Sequence, residues 1–187
     1  GLAWRGKSLG IIGAGHVGSR LAMLAGQLGM RVLMNDPPLR DLTGDARYRQ
    51  RSEVIHDADI LSLHVPLTDG GAYPTRGLVD GRFFRDMKPG AVFINASRGE
   101  VVVVADFLRA AEDGRFSSVV LDVFNREPDI DPAMLARADL ATPHIAGYSL
   151  DGRLKGTEMV YRAACRHLGV KAVWSPPAIQ PTRLDVP

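Results

Sequence analysis

The chain has 187 residues, 45% of them apolar and 24% charged, and a formal net charge of +2. This suffices for one large globular domain, and the basic residues are scattered, so no nucleic-acid partner is expected. No apolar stretch or leader points to a membrane, and a single cysteine, Cys165, fits a reducing, cytoplasmic setting without an internal disulfide.

Residues 1–7 read as a lead-in, with Trp4 on the domain edge. Ser8–Ile12 reads as a short buried strand. Gly13, Gly15 and Gly18 follow with the spacing G-x-G-x-x-G. Val17, Leu21, Leu24 and Leu28 then recur at helical spacing, and Gly29 stops the helix. The glycines therefore fall on a strand-to-helix turn that also holds His16 and Val17. There a dinucleotide's pyrophosphate meets free N–H groups and the positive end of a helix. Gly13 permits the tight turn, Gly15 the approach of phosphate, and Gly18 the close packing of helix on strand.

Arg31–Asn35 reads as the second strand, ended by Asp36, 23 positions after Gly13. A carboxylate at that spacing accepts hydrogen bonds from the adenosine ribose and repels a 2′-phosphate, so the expected cofactor is NAD. Arg40 is the nearby cation that speaks for the phosphate. Pro37 and Pro38 open a polar loop to Gln50, and Ser52 caps a short helix through Ile55. Residues 59–65 read as a third, fully buried strand with His64 inside it, followed by Pro66. A loop spans residues 69–77. Residues 80–87 carry Phe83, Phe84 and Met87 on one helical side. Ala91–Asn95 is the fourth strand, residues 100–113 a helix with Val104, Phe107, Leu108 and Ala111 inward, and residues 119–123 the fifth strand. A short helix over 132–138, a brief strand Leu140–Ala141 and a long helix over 150–168 complete the order. Leu154, Val160, Ala164 and Leu168 are its expected core side. Residues 1–170 form the dinucleotide-binding domain in this reading, and residues 171–187 a proline-rich tail or linker.

Short apolar strands alternating with helices specify an α/β fold, a doubly wound parallel sheet of the Rossmann type, which binds ligands at the carboxyl ends of its strands. Val65 and Pro66 follow the third strand, Ala96, Ser97 and Arg98 the fourth, Asp122 and Glu127 the fifth, and His144, Gly147 and Tyr148 the sixth. One cation, one imidazole and one carboxylate thus share a rim. Arg98 can grip a substrate carboxylate or carbonyl in a charge-assisted pair. His144 can take a hydroxyl proton as hydride leaves the carbon. Glu127 can accept the other ring N–H and fix the tautomer. Taken singly, Arg98 also suits a turn cap, Glu127 a solvated loop and His144 a buried histidine. The shared place beside a nucleotide site favours the catalytic set. No Cys/His/acid cluster has metal spacing, so no metal is expected.

These residues resemble the NAD-dependent D-2-hydroxyacid dehydrogenases over about residues 5–168. The resemblance rests on Gly13 to Gly18, Asp36, His64 to Leu67, Asn95 to Gly99, Asp122 to Phe124 with Glu127-Pro128, and Thr142 to Gly147. It implies catalysis by Arg98, Glu127 and His144, and cofactor contacts from Gly13, Gly15, His16, Val17, Gly18, Asp36, Val65, Pro66, Ala96, Ser97, Arg98, Asp122 and Gly147. At Val65 the family usually has a hydroxyl residue, which leaves backbone for any contact there. Residues 144–157, 36–38 and 69–75 resemble the branch that acts on a small phosphorylated hydroxy acid in pyridoxal phosphate biosynthesis. That branch implies substrate contact by Tyr148 and a homodimer. Members also carry a substrate domain before the glycine turn and a C-terminal dimerisation domain, so this chain is expected to be the nucleotide-binding part and inactive alone. Other small acids (glycerate, phosphoglycerate, lactate) and an NADH-sensing module without catalysis are the alternatives.

Overall fold

The short apolar segments become strands because a parallel sheet covered on both faces takes continuous apolar runs and turns bound them. They are β1 (Ser8–Ile12), β2 (Arg31–Asn35), β3 (Ile60–Leu63), β4 (Ala91–Asn95), β5 (Phe116–Leu121) and β6 (Leu140–Ala141). The helices are α1 (His16–Gln27), α2 (Pro37–Thr43), α3 (Arg51–Asp57), α4 (Gly81–Asp86), α5 (Val104–Glu112), α6 (Pro132–Leu135) and α7 (Leu150–His167). The structure is a computed structural model and describes residues 4–178. The start of the lead-in and the end of the proline-rich tail, residues 179–187, lie outside the described residues. The chain divides into two compact units between Pro143 and His144.

The first unit is a six-stranded sheet in the order β2-β1-β3-β4-β5-β6, and every pair is parallel. Beyond β2, Met34 forms an isolated parallel bridge with Tyr48, and the Arg49 N–H donates to the Met34 carbonyl at 2.8 Å. That bridge is one step of a reduced edge strand. With it, the sheet has the order of two βαβαβ halves that diverge between β1 and β3. The switch point is therefore at the carboxyl ends of those two strands.

Alternation sends side chains to both faces. Leu9, Ile11 and Ile60 pack with Ala25 of α1 on one face. Ile12, Leu33, Leu63, Phe93 and Leu121 pack with the helices α3 to α6 on the other. The second face holds an aromatic cluster. Phe84, Phe93, Phe107 and Phe116 have ring centroids 5.5–6.3 Å apart.

Several boundaries differ from the sequence reading for physical reasons. Residues 37–43 are helix, not loop, because Asp36 caps them: its Oδ1 accepts the Leu39 N–H at 3.0 Å, and the two prolines need no bond there. Helix α3 starts at Arg51 behind Gln50, with no side-chain cap, so Ser52 lies inside it. Strand β3 ends at Leu63, and His64 stands just past it, though its N–H still donates to the Ile12 carbonyl at 2.7 Å. Residues 99–101 form one 3-10 turn ahead of the shorter α5. Strand β5 begins at Phe116, where Ser117 and Ser118 conceal the apolar run. On α1, Val17 and Leu24 of the apolar repeat are exposed, and Gly18 and Ala25 are buried. Small residues face the sheet because the helix lies so close to it.

The second unit is built on α7. Ser149 caps it, its Oγ accepting the Gly152 N–H at 3.0 Å. Its less exposed stripe is Leu154, Glu158, Tyr161 and Cys165. Val160, Ala164 and Leu168 are exposed, contrary to the expected core side. Glu158 interrupts the true stripe, which is why an apolar count misses it. The Tyr161 hydroxyl accepts the Val173 N–H at 2.9 Å, and its ring meets Trp174 edge-on at 5.7 Å. The start of the expected tail thus folds back on α7.

Candidate functional site

A cavity of about 490 Å³ opens at the switch point, within the range of small-molecule sites, about 300–1,000 Å³. The glycine turn forms one side. Gly13 has φ +93°, and a Cβ there would lie 2.7 Å from the His64 carbonyl group. Only glycine lets the end of β3 touch the turn. A Cβ on Gly18 would lie 2.0 Å from the Gly13 oxygen, so this residue holds α1 against its own entry. Gly15, the N-cap residue of α1, has nothing within 4 Å of an added Cβ. The turn is therefore closed toward the fold and open over Gly15, beside the exposed first residues His16 and Val17.

Asp36 lines the same cavity. Its Oδ2 accepts the Ala14 N–H at 2.8 Å and its Oδ1 the Leu39 N–H. The carboxylate is thus fixed between the turn and α2, with lone pairs left for a ligand hydroxyl. Arg40 pairs with its neighbour on α2. Its Nε and Nη2 donate to Asp41 Oδ1 at 3.2 and 3.1 Å. The other Asp41 oxygen accepts the Tyr73 hydroxyl. The Tyr73 bond, then Arg40, holds the Asp41 carboxyl below its ordinary range, and the same bond raises the phenol. His64, Val65 and Pro66 complete this part of the cavity. His64 Nε2 lies 2.9 Å from Ser62 Oγ, and burial pushes the ring's pKa down, so it is neutral at pH 7. An open glycine turn, a fixed carboxylate and mainly apolar walls suit an extended dinucleotide.

Next along the rim, the buried side chain of Asn95 moulds the loop after β4. Its Oδ1 accepts the Ser97 N–H at 3.0 Å and hydroxyl at 2.8 Å, and its Nδ2 donates to the Arg98 carbonyl at 3.1 Å. Ala96 is half-buried, Ser97 buried, and Arg98 exposed, with Nη1 donating to the Ser97 carbonyl at 2.6 Å. A Cβ on Gly99 would lie 2.1 Å from the Phe124 carbonyl, so the loop after β5 abuts this one. In that second loop Glu127 Oε1 accepts the Phe124 N–H at 2.7 Å, and Asp122 Oδ1 accepts the Thr142 hydroxyl at 2.5 Å. Arg98 and Glu127 are therefore carried on touching loops.

His144, Gly147 and Tyr148 belong to the second unit. His144 adopts a left-handed φ of 54°. A turn follows, in which the Tyr148 N–H donates to the Ile145 carbonyl at 3.0 Å. The Tyr148 ring is exposed, with the Arg153 guanidinium 4.9 Å from its centroid. Among the described residues no group of His, Cys, Asp or Glu is arranged to hold a metal, and no helix is long and apolar enough to cross a membrane. Sequence reasoning missed Asn95 as a loop former and Tyr73, Pro37, Pro38 and Thr75 as cavity walls. Prolines following an acidic cap were the available signal for α2. Tyr73 offered none, because its partner is 32 residues away.

Comparison with known proteins gives a consistent picture. Residues 1–146 match the family model for the D-isomer specific 2-hydroxyacid dehydrogenase, NAD binding domain. The erythronate-4-phosphate dehydrogenase of Edwardsiella ictaluri is 46% identical over 169 residues, covering 90% of this chain and 45% of that protein. The chain thus spans about half the length of the curated relatives it matches. A glyoxylate reductase structure from Paecilomyes thermophila superposes with TM-score 0.72 at 29% identity, over 91% of this chain and 52% of that one. The D-lactate dehydrogenase of Aquifex aeolicus, solved with NAD and lactic acid, gives TM-score 0.68 at 29% identity, over 87% of this chain and 54% of that one. The chain belongs to the D-isomer specific 2-hydroxyacid dehydrogenase family, through its NAD-binding domain.

Proposed function

We propose that this domain serves an enzyme that oxidises 4-phospho-D-erythronate to the 2-oxo acid with NAD, a step toward pyridoxal phosphate. The observation that carries the reading is the fixed Asp36 carboxylate beside an open glycine turn, with Arg98 and Glu127 on abutting loops of the same rim. The substrate follows the relatives at 43–46% identity that are named for it.

NAD, when bound, accepts the hydride. In the turn from Gly13 to Gly18, the N–H groups of Gly13 and Ala14 are taken by Asn35 and Asp36, so those from Gly15 onward would meet the pyrophosphate, and Asp36 would meet the adenosine ribose. Val65, Pro66, Ala96, Ser97, Asp122 and Gly147 complete the cofactor contacts. Arg98 holds the substrate carboxylate in a bidentate pair, which orients the hydroxyl-bearing carbon. His144 takes the hydroxyl proton as the C–H bond breaks. Glu127 is the carboxylate assigned to the second ring N–H, which would fix the tautomer in which His144 acts as base. Tyr148 contacts a substrate oxygen. A cytoplasmic homodimer accompanies the reading, and sedimentation of the intact protein tests the dimer.

The test is His144→Gln in the intact protein. Turnover should fall about 10²- to 10⁴-fold, the usual share of a general base, while NADH affinity changes little. Undiminished turnover would remove His144 from the role. A panel with phosphoerythronate, glycerate, phosphoglycerate and lactate decides the substrate, and preference for another acid would overturn that part.

A further inference from the structure

One wall of the switch-point cavity belongs to neither the sheet nor a helix. It is the loop after β3, and its neck is nailed down. The buried Thr75 donates its hydroxyl to the Pro66 carbonyl at 2.5 Å and accepts the Thr68 N–H at 2.8 Å. The N–H groups of Thr75 and Arg76 both donate to the Thr68 carbonyl, at 3.0 and 3.1 Å. Beyond the neck lies a tip of residues 69–74. It contains Gly70 and Gly71, and a Cβ on either would meet nothing within 4 Å. Asp69 pairs with Arg76 inside the loop. Among the described residues, the tip is tied to another element by Tyr73, whose hydroxyl donates to Asp41 of α2.

The bridge joins two walls of one cavity. Ala72, Tyr73 and Pro74 line it from the loop, and Pro37 and Pro38 line it from α2. Asp36 caps that same helix, which places the bridged side at the end where the adenosine ribose is read. Apolar walls suit the faces of a purine, and the Tyr73–Asp41 bond spans the two walls.

We infer that Tyr73 is a positioning residue for the adenosine half of the dinucleotide: its bond to Asp41 closes the 69–74 tip onto α2. The inference rests on the NAD reading of the cavity. Arg40 belongs to the same arrangement, since it neutralises Asp41 on the oxygen that Tyr73 leaves.

Tyr73→Phe in the intact protein tests this, because it keeps the ring and deletes the hydroxyl. NADH, ADP-ribose and reduced nicotinamide mononucleotide are titrated by calorimetry. Loss of one hydrogen bond to a carboxylate should raise the Kd of NADH and ADP-ribose about tenfold and leave the mononucleotide unchanged. Asp41→Ala, which removes the partner from the other element, should act in the same direction, with circular dichroism confirming that both variants fold. Amide exchange across residues 69–74 should slow when ADP-ribose binds to the parent protein and much less in Tyr73→Phe. Unchanged ADP-ribose affinity in both variants would overturn the inference, as would an equal loss for all three ligands. A parent protein that binds neither NADH nor ADP-ribose would instead overturn the dinucleotide reading itself.

Discussion

The Asp36 side chain stands where a strand, a helix and the glycine turn meet. It ends β2, caps α2 and braces the glycine turn through the Ala14 N–H, all with one carboxylate. The same anion is proposed to discriminate against a 2′-phosphate. Asp36→Asn should therefore weaken NADH while improving NADPH relative to it. The expected rise in NADH Kd is about 10- to 100-fold, the size of a lost hydrogen bond to a charged acceptor. Fluorescence titration with both cofactors checks this, and a parallel loss for the two would show that Asp36 only supports the turn. Arg40, the nearby cation, pairs with Asp41. The position of Asp36 was legible in the sequence because its distance from the glycines is set by one helix and one strand. Asn95 and Tyr73 were not, because what they do depends on a loop bent over one residue's side chain and on a partner from a distant element.

Strand β3 is bracketed by two titrating groups whose effects on stability have the same sign and different pH windows. At its entry, Asp59 pairs with Lys88 and accepts the Ser8 N–H at 2.8 Å and hydroxyl at 2.9 Å, which in that order hold its carboxyl well below the usual range. Its contribution is present above the unfolded pKa of about 3.9 and is lost as acid protonates the native carboxylate. At its exit, burial lowers the His64 pKa, so below about 6.5 the unfolded chain binds the proton first and the fold loses stability. Denaturant midpoints should fall between pH 7 and 5.5, and fall again toward pH 3.5. Asp59→Asn should flatten the second step and His64→Gln the first; steps unmoved by these changes would assign them to other groups. Nearby, Gly18→Ala drives a Cβ to 2.0 Å from the Gly13 oxygen. Overpacking of that kind costs about 1–3 kcal/mol, and the melting temperature should show it. Most strands were legible because buried parallel strands are apolar runs between turns, but the start of β5 was not, since Ser117 and Ser118 break its run. The buried sides of α1 and α7 were not, since one rests on Gly18 and Ala25 and the other includes Glu158.

At the scale of the molecule, the doubly wound topology was legible from the alternation of strands and helices. The boundary between units was not, because α7 follows the sixth strand without any change of composition. Every residue of both hydrophobic clusters precedes Pro143. So do all six strands and the whole lining of the switch-point cavity. Arg98 and Glu127 lie in that first unit, and His144 opens the second. Folding and adenosine recognition should therefore separate from proton transfer along the chain. A fragment ending at Pro143 should fold cooperatively and bind ADP-ribose within about threefold of the intact protein, a difference under 1 kcal/mol. It should show no turnover, since the proposed base, His144, is missing. Nicotinamide mononucleotide should lose more affinity than ADP-ribose, because Gly147 is proposed to serve that half of the cofactor. Calorimetric titration and a thermal melt of the fragment decide the point. A fragment that does not melt cooperatively would show that the sheet depends on the second unit for stability, and a folded fragment blind to ADP-ribose would show that adenosine is read elsewhere than at the cavity beside Asp36.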